Sequence, residues 1–251
     1  MFFINFLFAM KICSLRSLWL IALFATMPIC AQKNSNPQRY AAFDNVFQSK
    51  NAAFNNGTIH FNRFQSVDGT FRYFKSSEFL IGSIVYDGQR YDNVWLKYDL
   101  LKDQLIIKLD GERNQMGFEI VKSKVESFDI GALTFKNLDL GEHPEFISGF
   151  FEETDAGQIV LYTKHTKDQF ASLTNEKVVY RYVEKFAYVF FYENSFYRIN
   201  SQRDLAKAFP EFDSEIAGFY SENAPLEQSD KNQFMKKLAF RLNQLTNNNA
   251  K

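Results

Sequence analysis

Between Thr58 and about Ile199 the chain alternates short apolar-rich runs with turn signals, three of them Asp-Gly pairs: Asp68-Gly69, Asp87-Gly88 and Asp110-Gly111. Glycine, and aspartate less easily, accepts the positive φ that a primed two-residue hairpin turn requires, so each pair favours a reversal between neighbouring strands. Asn56-Gly57 and Asp155-Ala156-Gly157 are looser versions of the same punctuation. The spacing is that of antiparallel β-structure rather than of helices. Strands are predicted near 58–65, 70–75, 79–87, 90–101, 103–110, 115–121, 125–130, 133–138, 147–154, 158–165, 177–184, 186–193 and 195–199. The expected fold class is mainly β (α+β): an antiparallel meander forming a curled sheet or a partial barrel or sandwich, with a C-terminal helical segment.

Side-chain alternation says which faces are covered. Val94, Leu96, Tyr98 and Leu100 share one face while Lys97 and Asp99 project from the other, and Leu105, Ile107 and Leu109 repeat the pattern, so one buried face is expected there. Val178 to Tyr192 differs. Tyr180, Tyr182, Phe186, Tyr188, Phe190 and Tyr192 line one side, and Val179, Val183, Ala187, Val189 and Phe191 line the other. A strand apolar on both sides is covered on both, inside a sandwich or in a curled sheet with a helix packed into its concavity.

After Asn200 the period changes from two to about 3.6. Ser201 with Asp204 can open a short helix through Leu205 and Phe209, stopped by Pro210, and Asp213 or Ser214 can open another carrying Ile216, Phe219 and Tyr220. Ser229 is predicted to cap a longer helix striped by Phe234, Leu238, Leu242 and Leu245, with Met235 widening the stripe. A helix from about Arg39 to Phe54 is predicted in the N-terminal segment 32–57. The expected organisation is a signal peptide at 1–31, that N-terminal segment, an antiparallel β domain at 58–199, and C-terminal helices at 200–251 packed on it.

Both cysteines, Cys13 and Cys30, fall in the leader. Read from Met10, Lys11 and Arg16 form a basic region ahead of the apolar run from Leu18 to Ala25, and Ile29-Cys30-Ala31 offers a cleavage site before Gln32. A lipoprotein signal acylated on Cys30 competes with this reading, but it wants a small residue where Ile29 stands. A retained span fits poorly, because the basic residues interrupt the apolar run short of the roughly 20 residues a span needs. The mature chain is then thiol-free, with no disulfide framework and no cysteine chemistry. The expected location is outside the cytoplasm, in the periplasm or outer cell envelope, with peripheral membrane association left open.

Removing the leader leaves 27 basic against 29 acidic residues, a formal charge of −2, with the two signs interleaved along the chain. No basic stripe marks a nucleic-acid surface, so a nucleic-acid partner is not expected. The aromatic content of 29 Phe, 12 Tyr and 2 Trp can fill a substantial core without disulfides. An outer-membrane barrel fits badly, since several strands are short, carry charge on the would-be lipid face, and are followed by helices rather than a closing strand.

The stretch Gly82-Ser83-Ile84-Val85-Tyr86-Asp87-Gly88-Gln89-Arg90-Tyr91-Asp92-Asn93-Val94-Trp95-Leu96-Lys97-Tyr98-Asp99-Leu100, running on to Asp103-Gln104-Leu105, resembles a recurring segment of exported bacterial β-rich proteins with no assigned activity. Phe196-Tyr197-Arg198-Ile199, Leu205, Phe209-Pro210 and the final amphipathic helix resemble the same group. The two stretches together span most of the mature chain. The resemblance implies a shared fold and an envelope setting, and it brings no catalytic residues to carry over.

Reactive constellations are sparse. His60, His143 and His165 lack mutual metal-ligand spacing; the first and last fall in predicted strands, where a solvent-facing or hydrogen-bonded role is expected, and His143-Pro144-Glu145 sits in a loop. No Gly-x-Ser-x-Gly elbow, Walker loop or Gly-x-Gly-x-x-Gly fingerprint occurs, and neither a cofactor nor a metal is expected. Asp87, Asp92, Asp99 and Asp103 form the densest carboxylate set. The reading these features favour is a non-enzymatic envelope protein that binds an apolar ligand or another envelope component through its sheet, with Tyr182, Tyr188 and Phe190 as ligand-contacting residues. Two alternatives stand beside it. One is an envelope polysaccharide hydrolase using Asp92 and Asp99 as its carboxylate pair; the other is a structural or adhesive module.

Overall fold

The structure, a computed structural model, describes residues 57–62, 66, 69–108, 117–140, 144, 146–155, 157–174 and 177–249. The predicted leader, the predicted helix from Arg39 to Phe54, Asp68 and Asp110-Gly111 lie outside these residues.

Among the described residues, eleven strands form one antiparallel sheet: β1 (Thr58–His60), β2 (Leu80–Tyr86), β3 (Gln89–Asp99), β4 (Gln104–Lys108), β5 (Gly117–Glu119), β6 (Val125–Ile130), β7 (Leu133–Asn137), β8 (Phe150–Asp155), β9 (Val160–Thr174), β10 (Lys177–Tyr192) and β11 (Ser195–Ile199). Their order is β1-β5-β4-β3-β2-β6-β7-β8-β9-β10-β11, and the sheet stays open. It is thus two meanders, β2–β5 and β6–β11, joined at β2 and β6, with β1 added out of order on the edge of β5. A short 3₁₀ turn, Lys122–Lys124, carries the chain around to the free edge of β2.

The Asp-Gly logic holds where it can be seen. Asp87 and Gly88 link β2 to β3 with φ of 53° and 77°, the pair of positive values a type I′ turn needs. Glu193 and Asn194 make the same kind of turn between β10 and β11, with φ of 46° and 59°, although no Asp-Gly or Asn-Gly pair announces it.

Three strand expectations are corrected. The predicted strands at 177–184 and 186–193 are one continuous β10, and β9 runs on to Thr174 rather than ending near 165. An uninterrupted ladder between the two, from Val160 opposite Phe191 to Thr174 opposite Lys177, carries both strands past the neighbours that flank their other ends. The predicted strand at 70–75 makes only an isolated bridge between Tyr73 and Asp99. It serves as a strap across the long hairpin. Its carbonyls at Phe71 and Tyr73 each accept from Lys167 Nζ at 2.8 Å, the Thr70 hydroxyl accepts from Tyr182 N–H at 3.2 Å, and Phe74 N–H donates to Tyr98 O at 2.8 Å. Backbone groups engaged in this way are satisfied without a ladder.

The strap also changes the reading of β3. Asp99 does not project into solvent but is wholly buried, paired with Arg72 at 2.5 Å and accepting from the N–H groups of Leu101 and Lys102. Both faces of β3 are covered at this end, one by the sheet's own core and the other by residues of 71–79.

Two cores result. Leu96, Tyr98, Leu105 and Ile107 meet Phe128, Phe135 and Phe150 on one face of the sheet, with Phe128 and Phe135 stacked at 4.8 Å. The second core joins Leu161, Tyr188, Phe190 and Ile199 to the helices. These are α1 (Gln202–Ala208), α2 (Asp213–Glu222), α3 (Ala224–Ser229) and α4 (Lys231–Asn249). Ser201 and Asp204 form the full capping box of α1, and Pro210 follows its end. The cap of α4 is Asp230, whose Oδ1 accepts from Gln233 N–H at 2.9 Å; Ser229, predicted for that role, ends α3 instead. Phe234, Met235, Leu238 and Leu242 are buried as the stripe predicts. No helix among the described residues is long and apolar enough to cross a membrane.

Candidate functional site

Register brings three titratable side chains together. Glu152 pairs opposite Thr163, and His165 opposite Phe186, so Glu152 on β8, His165 on β9 and Glu184 on β10 become diagonal neighbours on the helix-covered face. His165 Nε2 lies 2.7 Å from Glu152 Oε2, and Nδ1 lies 3.3 Å from Glu184 Oε1. Lys236 of α4 reaches down to the other oxygen of Glu152. Four elements are thereby tied through one carboxylate, one imidazole and their partners.

The electrostatics follow from burial and pairing. Burial opposes the charge on His165, but the hydrogen bonds and fields of Glu152 and Glu184 outweigh it and raise its pKa above the ordinary 6.5. Burial likewise opposes charge on Glu152, and His165 and Lys236 outweigh it, holding the carboxyl below its ordinary value. The rings of Phe74, Phe135 and Phe186 stand edge-on to the imidazole at 5.1–5.8 Å.

This cluster forms one wall of an open cleft of about 630 Å³ between the strap, the sheet and the start of α4. Phe71, Phe74 and Phe186 supply rings, while Lys75, Lys167, Asp230, Asn232 and Gln233 complete a polar rim. Asn232 Oδ1 is buried without a hydrogen-bond partner among the described residues, and so are Thr163 Oγ1 and Tyr188 OH nearby. Unpaired buried polar atoms are costly, so a polar cleft that leaves one at its edge is suited to water or a hydroxylated ligand.

The residues singled out from sequence are scattered. Tyr182, Tyr188 and Phe190 share one face of β10, as alternation requires, yet they do not share a site: Tyr182 lines a smaller pocket beyond the strap. Tyr188 and Phe190 lie in the second core under the helices. Asp92 and Asp99 sit seven positions apart on the single strand β3, roughly 20 Å along it at about 3.3 Å per residue. Asp92 is exposed and paired with Arg90, whereas Asp99 is sealed against Arg72, so the carboxylate pair of the hydrolase reading does not assemble. Asp103 accepts from Tyr98 OH, Lys122 and Lys164, and Asp87 pairs with Lys124 in its turn. His60 and His165 are both largely buried and bonded to carboxylates rather than solvent-facing, while His143 lies outside the described residues.

Glu152, Glu184 and Lys236 were not singled out. One signal was available for Glu152: it shares a face with the buried Phe150, so an acid pointing inward from an apolar strand demanded a partner. Among the described residues no cluster of three or more His, Cys, Asp or Glu side chains is arranged to hold a metal. Comparison with known proteins finds no matching family model, no matching curated protein and no matching solved structure.

Proposed function

We propose that this is an exported protein of the periplasm or outer cell envelope that performs no chemistry itself and binds a saccharide component of the envelope in the cleft beside Phe186. The observation that carries the reading is the engagement of His165 by carboxylates at both ring nitrogens, with Glu152 held in turn by Lys236. A general base needs a nitrogen lone pair directed at its substrate, and this imidazole directs neither. The same atoms make a rigid wall of nearly balanced charge, which suits a neutral, hydroxyl-rich ligand. Phe186 keeps over a third of its surface exposed beside Gln233 and Asn232. A pyranose offers the complementary shape, with an apolar C–H face for the ring and hydroxyls for the rim. The apolar-ligand alternative has weaker support, because two of the three aromatic side chains expected to line such a site, Tyr188 and Phe190, fill the second core.

Isothermal titration of the mature chain with soluble, uncharged N-acetylglucosamine oligomers, in parallel with a fatty acid, tests the reading. Saturable binding of the glycan that falls about tenfold in Phe186→Ala and Gln233→Ala supports it. Binding of the fatty acid alone, or of neither probe, overturns it.

A further inference from the structure

On the far side of the strap lies a second pocket, of about 270 Å³, on the opposite face of β3 from the first core. Most of the charges around it are matched. Arg72 faces Asp99 at 2.5 Å, and His60 Nδ1 lies 2.8 Å from Glu119, which also draws Lys102 at 3.5 Å. His60 Nε2 is 2.8 Å from Tyr73 OH, which closes a chain from carboxylate to imidazole to phenol. Lys97 is the exception. Its half-buried ammonium has no carboxylate within ion-pairing distance among the described residues and rests instead over the rings of Tyr73, at 4.7 Å, and Phe79, at 4.3 Å.

The floor explains why the rings are there. Gly117 lies under Phe79, and a Cβ on it would stand 2.9 Å from the Phe79 ring and 2.6 Å from Ile106. Only a glycine lets the ring settle against the sheet beneath the ammonium. The hydroxyls of Ser66 and Ser77 belong to the same lining and can donate to whatever the lysine attracts.

We propose that this pocket is a second binding site, distinct from the cleft, which takes a compact aromatic oxyanion on the Lys97 ammonium with its ring against Phe79 and Phe71. A carboxylate and a phosphate monoester share that chemistry. Burial depresses the pKa of Lys97, with Glu78 opposing, and an anion in the pocket would reverse the depression. The volume admits a small molecule and no polymer chain, so this site and the glycan cleft stand or fall separately.

Titrating the full mature chain with benzoate and with phenyl phosphate, followed by NMR, separates the two sources. At least one is expected to bind saturably and to shift the signals of Tyr73 and Lys97. Lys97→Met is expected to weaken that binding about tenfold, while Lys97→Arg keeps it. Should Lys97→Met fail to fold, the wild-type chain carrying ¹³C-dimethylated lysines provides the second measurement, with the Lys97 signal titrating at higher pH in the presence of the bound anion. Absence of binding by both probes, unchanged affinity in Lys97→Met, or an unmoved Lys97 titration overturns the proposal.

Discussion

Asn243 holds the backbone of Ile159 by both ends of its carboxamide: Oδ1 accepts from Ile159 N–H and Nδ2 donates to Ile159 O, each at 2.8 Å, across 84 residues of sequence. It is buried on α4 between Leu242 and Leu245 of the apolar stripe. This pair of bonds substitutes for a strand partner where the chain enters β9. Truncation in Asn243→Ala leaves two buried backbone groups unsatisfied, and we expect a loss of about 2–4 kcal/mol. Guanidinium denaturation checks it. A loss below about 0.5 kcal/mol, the scale of a neutral surface change, would mean that water replaces the amide.

The Arg72–Asp99 pair should behave as a buried ion pair whose halves depend on each other. Removing one partner, as in Asp99→Leu or Arg72→Met, strands a charge in the interior and is expected to cost about 3–5 kcal/mol. Replacing both together should cost clearly less than the sum of the single changes, and a double-mutant cycle of urea midpoints measures the difference.

The tetrad around His165 makes stability depend on pH in a definite direction. The folded pKa of His165 lies above its ordinary 6.5, so its contribution is complete below 6.5 and is lost as pH rises through the folded value. Glu152 has a folded pKa below its ordinary 4.5, so its contribution is complete above 4.5 and is lost as pH falls through the folded value. The cluster is therefore at full strength between about 4.5 and 6.5. Midpoints recorded from about pH 3 to about pH 9 should fall on both sides of that window, and His165→Gln should abolish the alkaline contribution while only weakening the acidic one, because Lys236 still holds Glu152.

Tyr188 and Phe190 distinguish a packed face from a binding face. Phe190 is wholly buried against Phe209, and Phe190→Ala is expected to cost about 3–5 kcal/mol, as in other packed cores. Tyr188→Phe removes a hydroxyl that burial forces to stay protonated and that has no partner among the described residues, so stability should hold or rise. Thermal melts of both variants settle the matter. A marked loss in Tyr188→Phe would reveal a bound water or ligand on that hydroxyl.

Leu173, near the tip of the long hairpin, is 74% exposed. Leu173→Ser should leave the midpoint within about 0.5 kcal/mol, because no packing is lost. A larger drop would mean that the tip is covered in solution, which a comparison of the two chains by sedimentation would show.

Much of what depends on neighbours close in the chain could be read directly from the sequence, although the Glu193-Asn194 turn and the Asp230 cap of α4 were not. The Asp87-Gly88 turn, the Ser201–Asp204 cap, the stop at Pro210 and the apolar stripe of α4 all rest on local backbone preferences or on helical periodicity. The antiparallel class followed from the same local signals. What lies on a face could be predicted too, since alternation alone aligns Tyr182, Tyr188 and Phe190 on β10.

What covers that face could not. Alternation put Asp99 on a polar side, and only the crossing of the strap turned that side into an interior with Arg72 as counter-charge. Glu152, His165, Glu184 and Lys236 come from four elements, and their meeting depends on the β8-β9-β10 register and on where α4 docks. Local sequence determined the antiparallel class, the Asp87-Gly88 turn and the C-terminal helices because those interactions span a few residues, whereas the full length of β9 and β10 and the strap at 70–75 depend on cross-strand partners. The cleft, the ion pairs and the pocket at Lys97 were decided by tertiary structure, because burial and charge pairing there join residues tens of positions apart.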